Sequence, residues 1–108
     1  MRANEVYTDT DTIRDRIRKV LPQATRVVLF GSRATGYARP DSDADILIVA
    51  PGPGSRWERG ADVMMALRDF PYGFDVIVVT PEQWQKLCGW QSSIVAAAER
   101  EGQVLYAA

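Results

Sequence analysis

The stretch Phe30 to Val49, FGSRATGYARPDSDADILIV, decides how this chain is read. It passes from a Gly-Ser pair through two arginines and three aspartates into a wholly apolar run. A carboxylate set against apolar neighbours is costly unless a cation or a donor compensates it, so something positive is expected at this place. Asp43 and Asp45 lie two apart. If a strand begins here, both point to one side with Cα atoms about 6.6 Å apart, and their carboxylates can converge on one cation. Hard ions such as Mg²⁺ take oxygen ligands, and commonly bind through one or two carboxylates together with the phosphates of a substrate.

Upstream, Arg26 to Phe30 is a short β-branched and apolar run closed by Gly31, and Asp45 to Ala50 repeats the pattern before Pro51-Gly52-Pro53-Gly54. Both predict strands. The Pro-Gly stretch reads as a surface loop and not as a linker, because too few strands follow it to build a second core. Ile13, Ile17, Val20 and Leu21 recur at helical spacing behind the capping residues of Thr8 to Thr12, which predicts a helix from Thr12 to Leu21. Trp57, Ala61, Met64, Met65 and Leu67 predict a second helix over Arg56 to Phe70, with Trp57, Met64 and Met65 packed on the sheet. After the Pro71-Tyr72-Gly73 turn, Phe74 to Val79 predicts a third strand. Thr80 then caps a helix from Pro81 to Leu87, Ser92 to Arg100 forms another helix ending at Gly102, and Val104 to Tyr106 adds an edge strand. The three main strands are apolar on both sides, so the sheet is expected to be covered by helices on each face, an α/β layered architecture.

The chain has 108 residues and fits a single domain over 1–108; 46% of its residues are hydrophobic and 25% charged, the balance of a globular protein. With 13 basic and 14 acidic residues the net charge is -1, so no bulk positive field holds nucleic acid as a direct ligand. The arginines Arg33 and Arg39 can still serve one phosphate group. There is no histidine, which excludes Ser-His and Cys-His catalysis and His-containing metal sites, and the lone Cys88 closes no internal disulfide. Neither a secretory signal nor a membrane-spanning run is found, and a cytoplasmic location is expected. The charges of Arg14 to Lys19 read as a solvated helix face, and Cys88 as packing.

Gly31 and Ser32 follow a strand directly, and the next residues, Arg33 to Tyr37, can open a helical turn whose free N–H groups suit phosphate oxygens. Gly31 lets a ligand approach the backbone, Ser32 supplies a hydroxyl, and Arg33 adds charge-assisted bonds. Asp75, bounded by Phe74 and Val76, brings a third carboxylate near the start of its strand. With two metal ions, Asp75 can ligate the second and take a proton from an attacking hydroxyl, the logic of in-line displacement at phosphorus. A nucleoside triphosphate with Mg²⁺ satisfies both halves, and nucleotidyl transfer is the expected reaction class.

These residues resemble the DNA polymerase beta-like nucleotidyltransferase superfamily. Its marks stand here as Phe30-Gly31-Ser32, Asp43-Ala44-Asp45-Ile46 and Phe74-Asp75-Val76, with ten residues between Ser32 and Asp43. Within it the chain is most similar to the minimal nucleotidyltransferases of bacteria and archaea, through Gly31-Ser32-Arg33-Ala34-Thr35-Gly36 and Ser42-Asp43-Ala44-Asp45. Thr35 departs from the second arginine that many members carry there. The resemblance implies a mixed β-sheet flanked by helices, two Mg²⁺ ions on Asp43, Asp45 and Asp75, and nucleotide binding by Gly31, Ser32, Arg33 and Ser42. It also implies transfer of AMP from ATP to a tyrosine of a cognate HEPN toxin, so that the chain acts as an antitoxin. Trp84, Trp90 and Tyr72 fall outside the central motif, where aromatic side chains can anchor a partner.

Plainer alternatives stand beside each reading. The Gly-Ser and Asp-x-Asp stretch can be a tight turn with Asp43 as a cap, and a lone Asp-x-Asp also occurs in glycosyltransferases. Asp75 can hold a turn. At the level of function, the rivals are nucleotidyl transfer to a small molecule such as an aminoglycoside, and a non-catalytic nucleotide- or partner-binding module. The intact aspartate triad weighs against the last.

Overall fold

The computed structural model of the chain describes residues 8–54 and 56–108, with the side chains of 56 and 57 left out, so the expectation for Trp57 lies outside the described residues. The elements follow as α1 (Thr10–Val20), β1 (Arg26–Phe30), α2 (Ser32–Thr35), β2 (Ala44–Val49), α3 (Arg56–Ala66), β3 (Phe74–Val79), α4 (Pro81–Cys88), α5 (Ile94–Glu101) and β4 (Gln103–Ala107). Every predicted strand is present, and the helices shift by a few residues at their ends.

One mixed sheet carries the fold, in the order β3-β2-β1-β4. β1 runs antiparallel to both β2 and β4, whereas β2 and β3 run parallel across the α3 connection. A parallel pair needs such a crossover, while the antiparallel β1–β2 pair is joined by the loop that holds α2. Alternate strand residues feed two cores. Val27 and Leu29, Ile46 and Ile48, and Val76 and Val78 pack under α1 and α3 with Ile13, Ile17, Val63 and Leu67. Val28, Leu47, Val49 and Val79 pack on the opposite face with Val95 and Ala98 of α5, against Trp84, Leu87 and Cys88 of α4. The all-apolar strands are thus explained: both faces are covered.

Local chemistry sets the helix limits. Asp9 caps α1, accepting from the Thr12 N–H at 3.1 Å and its hydroxyl at 2.7 Å. Thr80 and Gln83 form a capping box at α4, with Pro81 in its first turn. α3 ends at Ala66, short of the expected Phe70, because Leu67 and Phe70 close i→i−3 hydrogen bonds of 3.1 and 3.2 Å onto Met64 and Leu67.

Helix phase overturns one expectation. α3 turns Gly60, Val63 and Leu67 to the sheet, leaving Met64 and Met65 at 45% and 62% exposure. Gly60 permits this contact, since a Cβ there would stand 3.0 Å from the Val76 carbonyl. The α1 charges are less free than a solvated face implies: Arg16 pairs with Asp69, and the Arg18 guanidinium lies 3.9 Å over the Tyr106 ring. Among the described residues no helix is long and apolar enough to cross a membrane.

Candidate active site

The site is built where β1 ends and β2 and β3 begin. Gly31 follows β1 with φ +76° and ψ −157°, a backbone region that glycine reaches without strain. Its carbonyl accepts from the Ala34 and Thr35 N–H groups at 3.0 and 3.1 Å, which winds Ser32–Thr35 into the single turn α2. Gly36, at φ +87°, stops the turn in the left-handed region. Gly31 also makes room: a Cβ on it would overlap the Asp45 carboxylate. Gly31 and Asp45, fourteen residues apart in sequence, are therefore in contact.

Asp45 and Asp75 share a face. Asp45 and Asp75 are register partners on the parallel β2–β3 pair. Strand alternation puts both on the α4/α5 side, since Leu47 and Val49 of β2 and Ile77 and Val79 of β3 pack there. Asp43, two residues before Asp45, sits opposite Gly73. Burial, followed by the charges of Asp75 and Asp43, raises the Asp45 carboxyl above its ordinary value. Burial is the larger cause and two like charges add to it, while among the described residues no basic side chain is paired with any of the three.

Gly73 was not singled out by sequence reasoning, which saw it only as part of a turn. Its carbonyl accepts from the Ala44 N–H at 3.0 Å, and a Cβ on it would press to 2.8 Å from Asp43 Oδ1. A glycine two residues before the third acidic residue was the available signal.

Arg33 and Ser42 are placed differently from the phosphate-binding role expected of them. Arg33 is only 8% exposed. Its guanidinium donates to the carbonyls of Ser42 at 2.7 Å, Pro40 at 2.9 Å and Arg39 at 3.4 Å, and to the Thr8 hydroxyl at 3.1 Å. It also lies 3.5 Å over the Tyr72 ring. Most of its donors are engaged within the protein. The Ser42 hydroxyl accepts from the Arg39 N–H at 2.8 Å and closes the turn that delivers Asp43, while the Ser42 N–H donates to the Arg39 carbonyl at 3.0 Å. Arg39 itself is exposed. Thr35 donates its hydroxyl to the Gly31 carbonyl at 3.2 Å and so braces the bend.

Of the aromatic residues expected at a partner surface, Trp84 is committed inward. Its Nε1–H donates to Glu99 at 3.1 Å, and Glu99 holds Arg26 through bonds of 2.8 and 2.5 Å. Tyr72 belongs to an aromatic group with Phe70 and Phe74. Trp90 remains 57% exposed.

The donor set fits a hard divalent cation. Asp45 and Asp75, side by side on paired strands with no cationic partner among the described residues, offer oxygen donors of the kind such an ion takes. Among the described residues no group of three or more acidic, histidine or cysteine side chains forms a ready metal cage.

The family model described as a nucleotidyltransferase domain matches residues 11–95. No curated protein matches the chain. Among solved structures, a toxin–antitoxin complex with AMP-PNP is 20% identical, covering 94% of this chain and 75% of that one with a TM-score of 0.63. A complex of the tri-AMPylated Shewanella oneidensis HEPN toxin with its MNT antitoxin is also 20% identical, covering 92% and 70% with a TM-score of 0.55. The spectinomycin adenyltransferase of Enterococcus faecialis, with ATP and spectinomycin, is 16% identical over 75% of this chain and 37% of that one, with a TM-score of 0.50. At these identities the likeness is one of fold.

Proposed function

The chain belongs to the nucleotidyltransferase domain family, and from that premise we propose that it transfers AMP from ATP to a tyrosine hydroxyl of a HEPN-domain toxin, acting as the antitoxin. The observation that carries the reading is the contact of the Asp45 carboxylate with the Gly31 bend, beside Asp75. It puts the acids next to the place where a triphosphate can lie against bare backbone. Asp43, Asp45 and Asp75 are the residues that would hold divalent magnesium, two ions in the fullest form. The metal supplies charge neutralisation at the α-phosphate and a lowered pKa for the attacking hydroxyl.

The rest is the work of the chain. Gly31 and Ser32 hold the β- and γ-phosphates, with Arg33 and Ser42 supporting that bend and the loop beside it. Asp75, exposed at the start of β3, accepts the proton of the acceptor hydroxyl. The acceptor oxygen bonds to the α-phosphorus as the bond from that phosphorus to the bridging oxygen breaks, and pyrophosphate leaves with the electron pair. The likeness to toxin–antitoxin complexes, one of which holds an AMPylated HEPN toxin, favours a protein acceptor over a small molecule.

The test is intact-mass measurement of a HEPN protein encoded beside this chain, after incubation with the chain, Mg²⁺ and each of the four triphosphates. AMP-sized increments on tyrosine with ATP, lost in Asp43→Asn and with EDTA, are the expected result. An unmodified toxin together with an adenylylated aminoglycoside would move the assignment to small-molecule transfer. No transfer to either would leave the binding-module reading.

A further inference from the structure

Arg33 is a buried cation with no carboxylate partner among the described residues. A buried charge of this kind is tolerated only where donors and surroundings satisfy it. Here backbone carbonyls and an aromatic face do so. Its partners are not scattered. The Arg39, Pro40 and Ser42 carbonyls belong to the loop that leads into Asp43, and Tyr72 immediately precedes Gly73, which faces the Asp43 carboxylate. Arg33 itself sits in α2, directly behind the Gly31–Ser32 bend. Tyr72 packs with the core under α1 and α3, the sheet face opposite to that lined by Asp45 and Asp75. One side chain thus touches the segments bounding three strand ends, from behind.

We propose that Arg33 is a positioning residue that locks the Gly31–Ser32 bend, the approach to Asp43 and the start of β3 at a fixed separation, and so sets the spacing between the bound triphosphate and the metal-holding carboxylates. This deepens the nucleotidyl-transfer reading and rests on it for its link to activity. The planar fork is what the arrangement needs: Nε, Nη1 and Nη2 each reach a different partner while the flat face lies on Tyr72. A lysine keeps the charge and loses both the fork and the stacking.

The test uses the full chain carrying Arg33→Lys and, separately, Tyr72→Leu, which removes the ring from a residue that is not assigned to phosphate. The first readout needs no ligand: amide exchange at Ser42 and Ala44, whose N–H groups bond to Arg39 and Gly73, should quicken in both variants. The second is Mn²⁺ binding in the presence of a non-hydrolysable ATP analogue, followed by electron paramagnetic resonance. It should weaken by about tenfold or more in both variants. Nucleotide affinity without divalent ion should change alike in the two variants, since the lock on the bend is lost in both. Loss of metal-free nucleotide affinity in Arg33→Lys with wild-type behaviour of Tyr72→Leu would make Arg33 a direct phosphate ligand and overturn the proposal, as would unchanged exchange in both variants. If Arg33→Lys does not fold, Tyr72→Leu decides alone. A wild-type chain that binds no Mn²⁺-nucleotide, with exchange still quickened in the variants, would sink the nucleotidyl-transfer reading while the lock stands.

Discussion

Asp45 and Asp75 are partners across the parallel β2–β3 pair, two acids placed side by side where neighbouring strands start. Burial of Asp45, and then the charges of Asp75 and Asp43, make the folded chain hold a proton on Asp45 more tightly than the unfolded chain does. The sign follows from linkage. Asp45 contributes stability below its unfolded value, about 3.9, and that contribution is lost as pH rises through the raised folded value. Without divalent ions, Asp45→Asn should melt above the wild type at about pH 7, with the gap closing near about pH 4. Transfer activity should fall by roughly a thousandfold or more in the same variant, about 4 kcal/mol of lost transition-state stabilisation. Thermal melts in EDTA and a labelling assay measure the two effects; a variant less stable than wild type at neutral pH would contradict the first.

Gly31→Ala meets two obstacles, the left-handed φ of +76° and the overlap of its Cβ with the Asp45 carboxylate. Strain alone should cost about 1–2 kcal/mol of stability. Displacing Asp45 should remove most transfer activity. Chemical denaturation and the labelling assay check both, and an active variant of wild-type stability would refute the close approach.

The Arg26–Glu99–Trp84 group lies at the other end of β1 from Gly31. The Arg26 hydrogen bond, and then that of Trp84, hold the Glu99 carboxyl below its usual range against the opposing effect of burial. This contribution is present above the unfolded value of Glu99 and is lost as pH falls through the lowered folded value. Glu99→Gln should destabilise the chain by about 2 kcal/mol at neutral pH, leaving Arg26 without its charged partner. It should leave transfer activity per folded molecule unchanged. Denaturation midpoints at neutral and acid pH test the claim.

Ser93 caps α5 by accepting from the Ala96 N–H at 3.0 Å while its hydroxyl donates to the Leu87 carbonyl. Ser93→Ala should cost about 1 kcal/mol, and Thr80→Ala at the α4 capping box a similar amount. Equilibrium denaturation of each single variant measures the two losses.

The strands were legible because Val27 to Phe30, Ile46 to Ala50 and Phe74 to Val79 are apolar runs bounded by Gly and Pro. The acids were legible because Asp43, Asp45 and Asp75 interrupt such runs at their starts. Arg33 was not. Whether a guanidinium reaches phosphate or carbonyl depends on where the 39–42 loop and Tyr72 arrive, and neither is encoded locally. Met64 and Met65 misled for a similar reason: both fit an apolar stripe, but the close contact of Gly60 with Val76 fixes the phase of α3 and sends them outward. Gly73 was seen as a turn because a glycine that yields space to a distant carboxylate looks locally like any other.

Asp43 and Asp75 stand exposed at the sheet's rim, while the two cores lie beneath the helices and need neither of them. Unlike Gly31, Arg33 and Asp45, these two acids therefore carry no packing duty. If the proposed function holds, replacing either one should silence the protein and leave its shape whole.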